Sequence, residues 1–514
     1  MKKKLLESLR SLRSFIWPIY GSEHKKFIPM LVIFFLVYFN YNLLRAAKDT
    51  LIVTAPDSGA EAIPFIKVWV VLPMAFFFTY VFAKLSSKFN REKVIYIMLS
   101  IFLAFFFIFA FFLYPARDLL HPTHLAKILA HNLPTGFKGL IAIFQNWTLT
   151  LFYVMSEEWS TIISTVLIWG FANEVTSVLE AKRFYALFGL GANVATIVSG
   201  EAATHLSHHV YNPHFLFGST AWEQSFTLIS ATVIFVILLI MLMFKLFVAK
   251  SSSAAPEPEP ETKQTKQSFM KSFSYLAKSK YLICIAIIVV TYNMVINLIE
   301  VIWKNQVMLL YPNPSDYNSY MGQVTTAMGI FATIIAIFFS GNLLRKFTWS
   351  FTALITPIAI LASGIAFFYF LLFKDFASSL TLIFGLSPLV MNVFFGSLQN
   401  CISRACKYTV FDATKEIAFI PLSPDSKRKG KAAIDGVGSR LGKSGGSVIH
   451  QTLLISCSTI AAIAPYVAGI FLIISGVWIA AAVSLGKQFN ELITNNEKIS
   501  IEEKNRQDKA LAGS

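Results

Sequence analysis

Residues 224–264 read Gln224-Ser-Phe-Thr-Leu-Ile-Ser-Ala-Thr-Val-Ile-Phe-Val-Ile-Leu-Leu-Ile-Met-Leu-Met-Phe-Lys-Leu-Phe-Val-Ala-Lys-Ser-Ser-Ser-Ala-Ala-Pro-Glu-Pro-Glu-Pro-Glu-Thr-Lys-Gln264. From 224 to 248 a single charge, Lys245, interrupts an apolar run. A helix needs roughly 20 mostly apolar residues to cross the hydrocarbon of a bilayer, so this run is a membrane span. The segment after it is opposite in character. Residues 251–268 combine serine, proline and charge with no apolar periodicity, which defines a flexible polar linker. A span that runs into a long polar linker near mid-chain divides the sequence into two apolar halves.

Working outward, the same kind of apolar run recurs on both sides. Spans are predicted near 27–46, 63–84, 93–114, 141–173, 184–206 and 224–248, and again near 281–310, 319–343, 350–373, 378–407, 434–459 and 464–486. The 141–173 stretch is too long for one upright span, which calls for a tilt or a preceding interfacial turn. Composition agrees. Only 14% of the 514 residues are charged, against about a quarter in an ordinary soluble domain. The 49 phenylalanines have no single water-soluble core to hide in, and lipid accepts them at little cost. The fold expected is an all-α membrane protein of twelve helices in two six-helix halves, 27–248 and 281–486. These are flanked by an N-terminal segment (1–26), the linker (249–280) and a tail (487–514).

Basic residues set the orientation. Lys84, Lys88, Arg91 and Lys93 surround the second connection, and Lys182 and Arg183 the fourth. Lys263, Lys266, Lys271, Lys278 and Lys280 lie in the linker, and Lys427, Arg428, Lys429 and Lys431 in the tenth connection. The alternate connections 207–222, 311–318 and 460–463 hold no Lys or Arg. By the positive-inside rule both termini and the linker are cytoplasmic, a parity that suits twelve helices and not eleven. The formal charge of +16 is therefore topological and does not imply nucleic acid. A short echo, Lys182-Arg-Phe-Tyr-Ala-Leu-Phe-Gly-Leu-Gly191 over Lys429-Gly-Lys-Ala-Ala-Ile-Asp-Gly-Val-Gly438, suits two halves repeated in the same sense. That arrangement is the major-facilitator architecture.

Ionisable groups inside spans are expensive, so they mark a pathway by default. Lys67 lies in Ile63-Pro-Phe-Ile-Lys-Val-Trp, and Glu157 and Glu158 in Tyr153-Val-Met-Ser-Glu-Glu-Trp. Glu300 and Lys304 lie one turn apart in Asn297-Leu-Ile-Glu-Val-Ile-Trp-Lys, and Lys443 in Arg440-Leu-Gly-Lys-Ser-Gly-Gly. Arg45 and Lys48 sit at the outer end of the first span. Blander readings stand beside these. Arg45 and Lys48 could snorkel to the interface, and Glu300 with Lys304 could be a structural i, i+4 pair. The adjacent pair Glu157–Glu158 is harder to dismiss, because neighbours on a helix point about 100° apart and can face a cavity and a cation separately. Several lysines with carboxylates among them suit a polyanion, whose desolvation needs cations from more than one helix.

Other chemistries drop out. Gly442-Lys443-Ser444 resembles the end of a phosphate-binding loop, but the position of its first glycine is Val437 and no strand precedes it. Cys284, Cys401, Cys406 and Cys457 lie in apolar surroundings, with no spacing for zinc or a disulfide framework. They read as packing. Asn146-Trp-Thr148 is a glycosylation sequon in form only, being inside an apolar run. No catalytic constellation, metal site or cofactor motif remains, so an enzyme is not expected.

Motifs along most of the chain resemble the ATP/ADP translocase family of plastids and obligate intracellular bacteria. They are Lys48-Asp-Thr-Leu-Ile-Val-Thr54, Glu61-Ala-Ile-Pro-Phe-Ile-Lys67, Trp169-Gly-Phe-Ala-Asn173 and Glu180-Ala-Lys-Arg-Phe-Tyr-Ala-Leu-Phe-Gly-Leu-Gly-Ala-Asn193. Further along come Asn297–Lys304, Phe411-Asp-Ala-Thr-Lys-Glu416, Gly430-Lys-Ala-Ala-Ile-Asp435 and Gly442-Lys-Ser-Gly-Gly446. The resemblance implies a major-facilitator-type carrier in a bacterial inner membrane, moving ATP, ADP or other nucleoside triphosphates, with phosphate or protons as further cargo. It also implies functional roles for Lys67, Glu157, Glu300 and Lys443, with Asn297 as a phosphate-recognising neighbour. Lys304, Arg45 and Lys48 join the candidate substrate-binding group, and Glu158 the candidate coupling or gating carboxylates. Two departures are Ala46, where the family often has an acid, and Glu158, where it often has leucine. They leave nucleotide exchange, proton-coupled net import, and transport of another anion as alternatives.

Overall fold

The computed structural model describes residues 19–251, 279–338, 347–373, 385–423, 426–427, 430–431, 434 and 438–512. Among them every regular element is a helix. The long ones are α1 (His24–Val53), α2 (Ala62–Ser86), α3 (Arg91–Leu113), α4 (Trp147–Val175), α5 (Val178–Leu206) and α6 (Ala221–Ser251). After the linker come α7 (Lys280–Leu310), α8 (Pro314–Phe338), α9 (Trp349–Leu372), α10 (Pro388–Cys406), α11 (Ser439–Cys457) and α12 (Ile460–Ala512). Each predicted span thus corresponds to a helix. The linker 252–278, parts of the eighth and tenth predicted spans and much of the internal echo lie outside the described residues.

Local chemistry explains the starts. Ser177 and Glu180 form a capping box at α5, while Asn90, Ser279, Thr348 and Ser387 cap α3, α7, α9 and α10 through their side chains. Pro388 follows Ser387 at the first helical position, where its missing N–H costs nothing. The long fourth segment resolves into Thr135–Gln145 and α4, set at 82° to each other. The break is Asn146, which is buried and donates from Nδ2 to the Pro56 carbonyl at 3.2 Å. An asparagine so committed accepts no glycan.

Nine helices among the described residues are long and apolar enough to cross a membrane, ten if the bent pair is one span. The two that fall short, α10 and α11, also turn polar side chains inward: Asn392, Ser397, Gln399, Asn400 and Ser403 on one, Ser447, His450 and Gln451 on the other, all buried. Among the described residues, the π-helical turns Lys67–Val71, Phe109–Leu113, Trp159–Ile168 and Lys407–Phe411 widen the helices locally. Three of them adjoin intramembrane charges, where such turns are commonly found.

In packing, α1 lies against α4, α5 and α6, and α7 against α10, α11 and α12. The two groups meet along α5–α8, α1–α8 and α2–α11. Gly200 and Gly322 let α5 and α8 touch; a Cβ on Gly200 would sit 2.6 Å from the Gly322 carbonyl. These contacts crowd the end of the bundle away from residue 24. There Thr204 bonds the Ser319 carbonyl, Asn318 bonds Thr50 and Ser207, and Thr135 reaches Ser458 at 2.6 Å. That end is closed.

Candidate substrate-binding site

Because α1 runs on to Val53, Arg45 and Lys48 are buried inside the bundle instead of at its edge. Lys48 Nζ lies 2.8 Å from Glu157 of α4 and 3.1 Å from Asp49, and 3.8 Å above the Tyr153 ring. Asp49, 0% exposed, also meets Lys304 Nζ of α7 at 2.8 Å. Lys304 returns one turn to Glu300 at 3.2 Å, so the expected i, i+4 pair exists as one link in a longer chain.

Glu300 is the hub. Within 4 Å its carboxylate has Lys304, Arg45 (3.4 Å), Arg404 of α10 (3.6 Å) and Lys67 of α2 (3.8 Å). Lys67 donates to Asn297 Oδ1 at 2.8 Å, and Asn297 Nδ2 donates to the Lys443 carbonyl (2.7 Å) and Ser447 Oγ (2.8 Å) of α11. This last contact depends on two glycines. A Cβ on Gly442 would sit 2.6 Å from the Val290 carbonyl, and one on Gly446 3.0 Å from Asn297 Nδ2. The Gly-Lys-Ser-Gly-Gly stretch is therefore a close helix-packing surface that presents Lys443, and the phosphate-loop likeness is accidental.

Five cations (Arg45, Lys48, Lys67, Lys304, Arg404) thus face three carboxylates (Asp49, Glu157, Glu300), a surplus of two positive charges. Lys443 adds a third. Its ammonium makes no ion pair among the described residues and lies within electrostatic reach of Lys407, Glu157, Tyr41 and Arg404. Exposure rises in one direction: the side chains of Lys304 and Lys48 are 2% and 5% exposed, those of Lys67 and Glu157 20% and 32%, and Lys443 is exposed. The cluster is sealed toward the closed end of the bundle and open toward its middle.

All the predicted substrate-binding residues therefore come together, with Glu157 and Glu300. Glu158 does not join them; it is buried and turned away from the network. Sequence reasoning missed Asp49 and Arg404 as site members. Their only signal was a charge within or just beyond a predicted span, Asp49 being masked by the adjacent Lys48. Among the described residues no group of His, Cys, Asp and Glu is arranged to hold a metal ion.

A bundle of helices with more cations than carboxylates gathered from α1, α2, α7, α10 and α11, largely buried except for Lys443, has the fold of a major-facilitator-type membrane protein. Its fold is matched by the crystal structure of the nucleoside transporter NupG, with a TM-score of 0.52 and 12% identity, over 90% of this chain and 99% of that one. A family model described as TLC ATP/ADP transporter matches residues 2–489, and the chain belongs to that family. It is 44% identical over 483 residues to ADP,ATP carrier protein 1 of Chlamydia trachomatis serovar D, covering 93% of this chain and 91% of the relative. It is 42% identical over 472 residues to the plastidic ATP/ADP-transporter of Solanum tuberosum, covering 91% and 74%.

Proposed function

We propose that the protein exchanges ATP and ADP across a bacterial inner membrane by alternating access, with both termini in the cytoplasm and two six-helix halves, 27–248 and 281–486, rocking about the site. Membership of the TLC family, and the likeness to relatives that are ADP,ATP carriers, support nucleotides as cargo. The observation that carries the reading is the surplus of positive charge in a largely buried cluster, sealed at one end and open toward the middle of the bundle. Buried charges are tolerated only when paired, so a site with more cations than carboxylates is completed by an anion. Lys443 and Lys67, the more accessible ammoniums, take the phosphates first, with Asn297 orienting Lys67. Lys48 and Arg45 hold Glu157 and Glu300, the partners that phosphate oxygens compete with. Between cargoes those carboxylates neutralise the cations and keep the empty site from being excessively positive.

Proton-coupled net import of nucleoside triphosphates is a second reading, favoured by the buried, unpartnered Glu158. Uptake of labelled ATP into proteoliposomes decides between the two. Flux driven by unlabelled ADP in trans and insensitive to a protonophore supports exchange; flux that needs the proton gradient and ignores ADP overturns it. Competition by nucleotides against other organic anions tests the cargo class.

A further inference from the structure

The cations account for the phosphates of a nucleotide and leave its base without a partner. Tyr38, Tyr41, Arg45 and Lys48 follow one another at intervals of three, four and three residues on α1, so they form a single stripe on one face of the helix. The stripe starts at the sealed end of the site, where Lys48 and Arg45 are buried, and reaches its open side at Tyr41 and Tyr38, both half-buried. Ten residues from Tyr38 to Lys48 cover about 15 Å along the axis. Tyr41 lies within electrostatic reach of Arg404, Arg45, Glu157 and Lys443, hence beside the cluster and between groups of both halves. Other rings at the site are occupied or shut away. Tyr153 lies beneath Lys48 and Tyr317 is wholly buried. Tyr292 is buried with its ring stacked on Phe411 at 4.5 Å. The one ring that Tyr41 meets among the described residues is Tyr38, at 6.5 Å and 90°, and such an edge contact leaves at least one face of Tyr41 open. Tyr38 is itself held in place: Trp169 donates from Nε1 to its hydroxyl at 3.0 Å, and Phe34 stacks on it at 6.5 Å.

We infer that Tyr41 is the base-recognising residue of the site: its ring stacks on the planar heteroaromatic base of the nucleotide while the cations hold the phosphates, and Tyr38 with Trp169 braces it. Stacking suits this position. An aromatic face removes the apolar base from water without bringing a further charge into the cluster. Every base has a π-face, so the ring separates a nucleotide from a bare polyphosphate without choosing strongly among bases. The order of the stripe also fixes direction. A base seated on Tyr41 has Arg45 one turn away on the same face, so the phosphate chain points toward the closed end of the bundle. The inference rests on the nucleotide reading and concerns the part of the substrate that the cations do not touch. A competing role for Tyr41, its hydroxyl donating to a phosphate, needs the oxygen and not the ring, and the two are separable.

The test uses the full chain in proteoliposomes loaded with ADP, measuring uptake of labelled ATP and its inhibition by inorganic triphosphate. In Tyr41→Ala the KM for ATP should rise roughly tenfold or more, while the concentration of triphosphate that halves uptake stays at the wild-type value. Tyr41→Phe, which keeps the ring, should keep the wild-type KM. An unchanged KM in Tyr41→Ala overturns the inference. So does an equal weakening of ATP and triphosphate, or a Tyr41→Phe variant as impaired as Tyr41→Ala, since either result assigns the hydroxyl to phosphate. A fluorescence titration of the detergent-solubilised protein gives a readout independent of transport. Tyr41→Trp should show quenching by ATP beyond that of the wild type and no such excess with inorganic triphosphate; ATP quenching equal to the wild type overturns the inference. Should Tyr41→Ala fail to insert, this titration carries the decision. If ATP does not move at all, the exchange reading fails, and the titration still decides whether position 41 meets a base.

Discussion

Lys443 is exposed to the interior with no ion pair among the described residues, while Asp49 is wholly buried between two lysines. These two residues should fail differently. Replacing Lys443 by alanine removes a charged phosphate contact of about 1.5–3 kcal/mol, which corresponds to roughly a tenfold to hundredfold loss of ATP uptake. Membrane abundance and thermal stability should stay at wild-type values in blots and melting curves. Asp49→Asn breaks two buried ion pairs at once, and removing one partner of such a pair costs about 3–5 kcal/mol. The expected outcome is a lower Tm of the detergent-solubilised protein, whatever happens to uptake. A variant that melts like the wild type contradicts the bridging role. Lys67, Glu157, Glu300 and Lys443 were legible in the sequence as charges inside predicted spans, and the roles expected of them came from the family resemblance. Asp49 was not, because the first span was predicted to end near 46 and α1 continues to Val53. Polar residues that a helix turns inward lower its hydropathy, so the functional end of a span is where its boundary is misread.

At the scale of the element, α11 makes the point most sharply. Its Gly-Lys-Ser-Gly-Gly run is the polar part of the predicted 434–459 span, and Gly442 and Gly446 seat it against α7 closely enough for Asn297 to hold the Lys443 carbonyl. Gly442→Val should push the helices apart. The predicted cost is about 1–3 kcal/mol of stability from overpacking, together with loss of uptake because Lys443 leaves its place. Uptake that survives this substitution would show that the α7–α11 register is unimportant. The 82° break before α4 was foreshadowed by the excess length of the 141–173 run, but its position was not. It depends on Asn146 reaching the Pro56 carbonyl, a contact across 90 residues of sequence. The π-turns at Lys67, Trp159 and Lys407 had no visible signal, since one extra residue per turn leaves apolar periodicity almost intact.

For the whole molecule, the closed end and the graded exposure of the cation cluster describe one state of an alternating cycle. Thr135 and Ser458 touch across the closed end, from the segment before α4 and the turn before α12. With Cys457 first changed to serine, the pair Thr135→Cys and Ser458→Cys should form a disulfide on oxidation and arrest uptake, with reductant restoring it. Free transport by the oxidised pair would show that this end does not open. The helix inventory and the charge pattern of the loops were readable from composition, because lipid imposes them residue by residue. Which ends of the helices meet was not, since that depends on glycines and small polar groups matched across distant segments. The central claim is that surplus buried cations exist to receive nucleotide phosphates. Its most direct test is the uptake of labelled ATP into ADP-loaded proteoliposomes, comparing the wild type with Lys67→Ala and Lys443→Ala. The account predicts rapid ATP accumulation dependent on internal ADP for the wild type and a loss of roughly tenfold or more for both variants at equal protein incorporation; wild-type rates in both variants would contradict it.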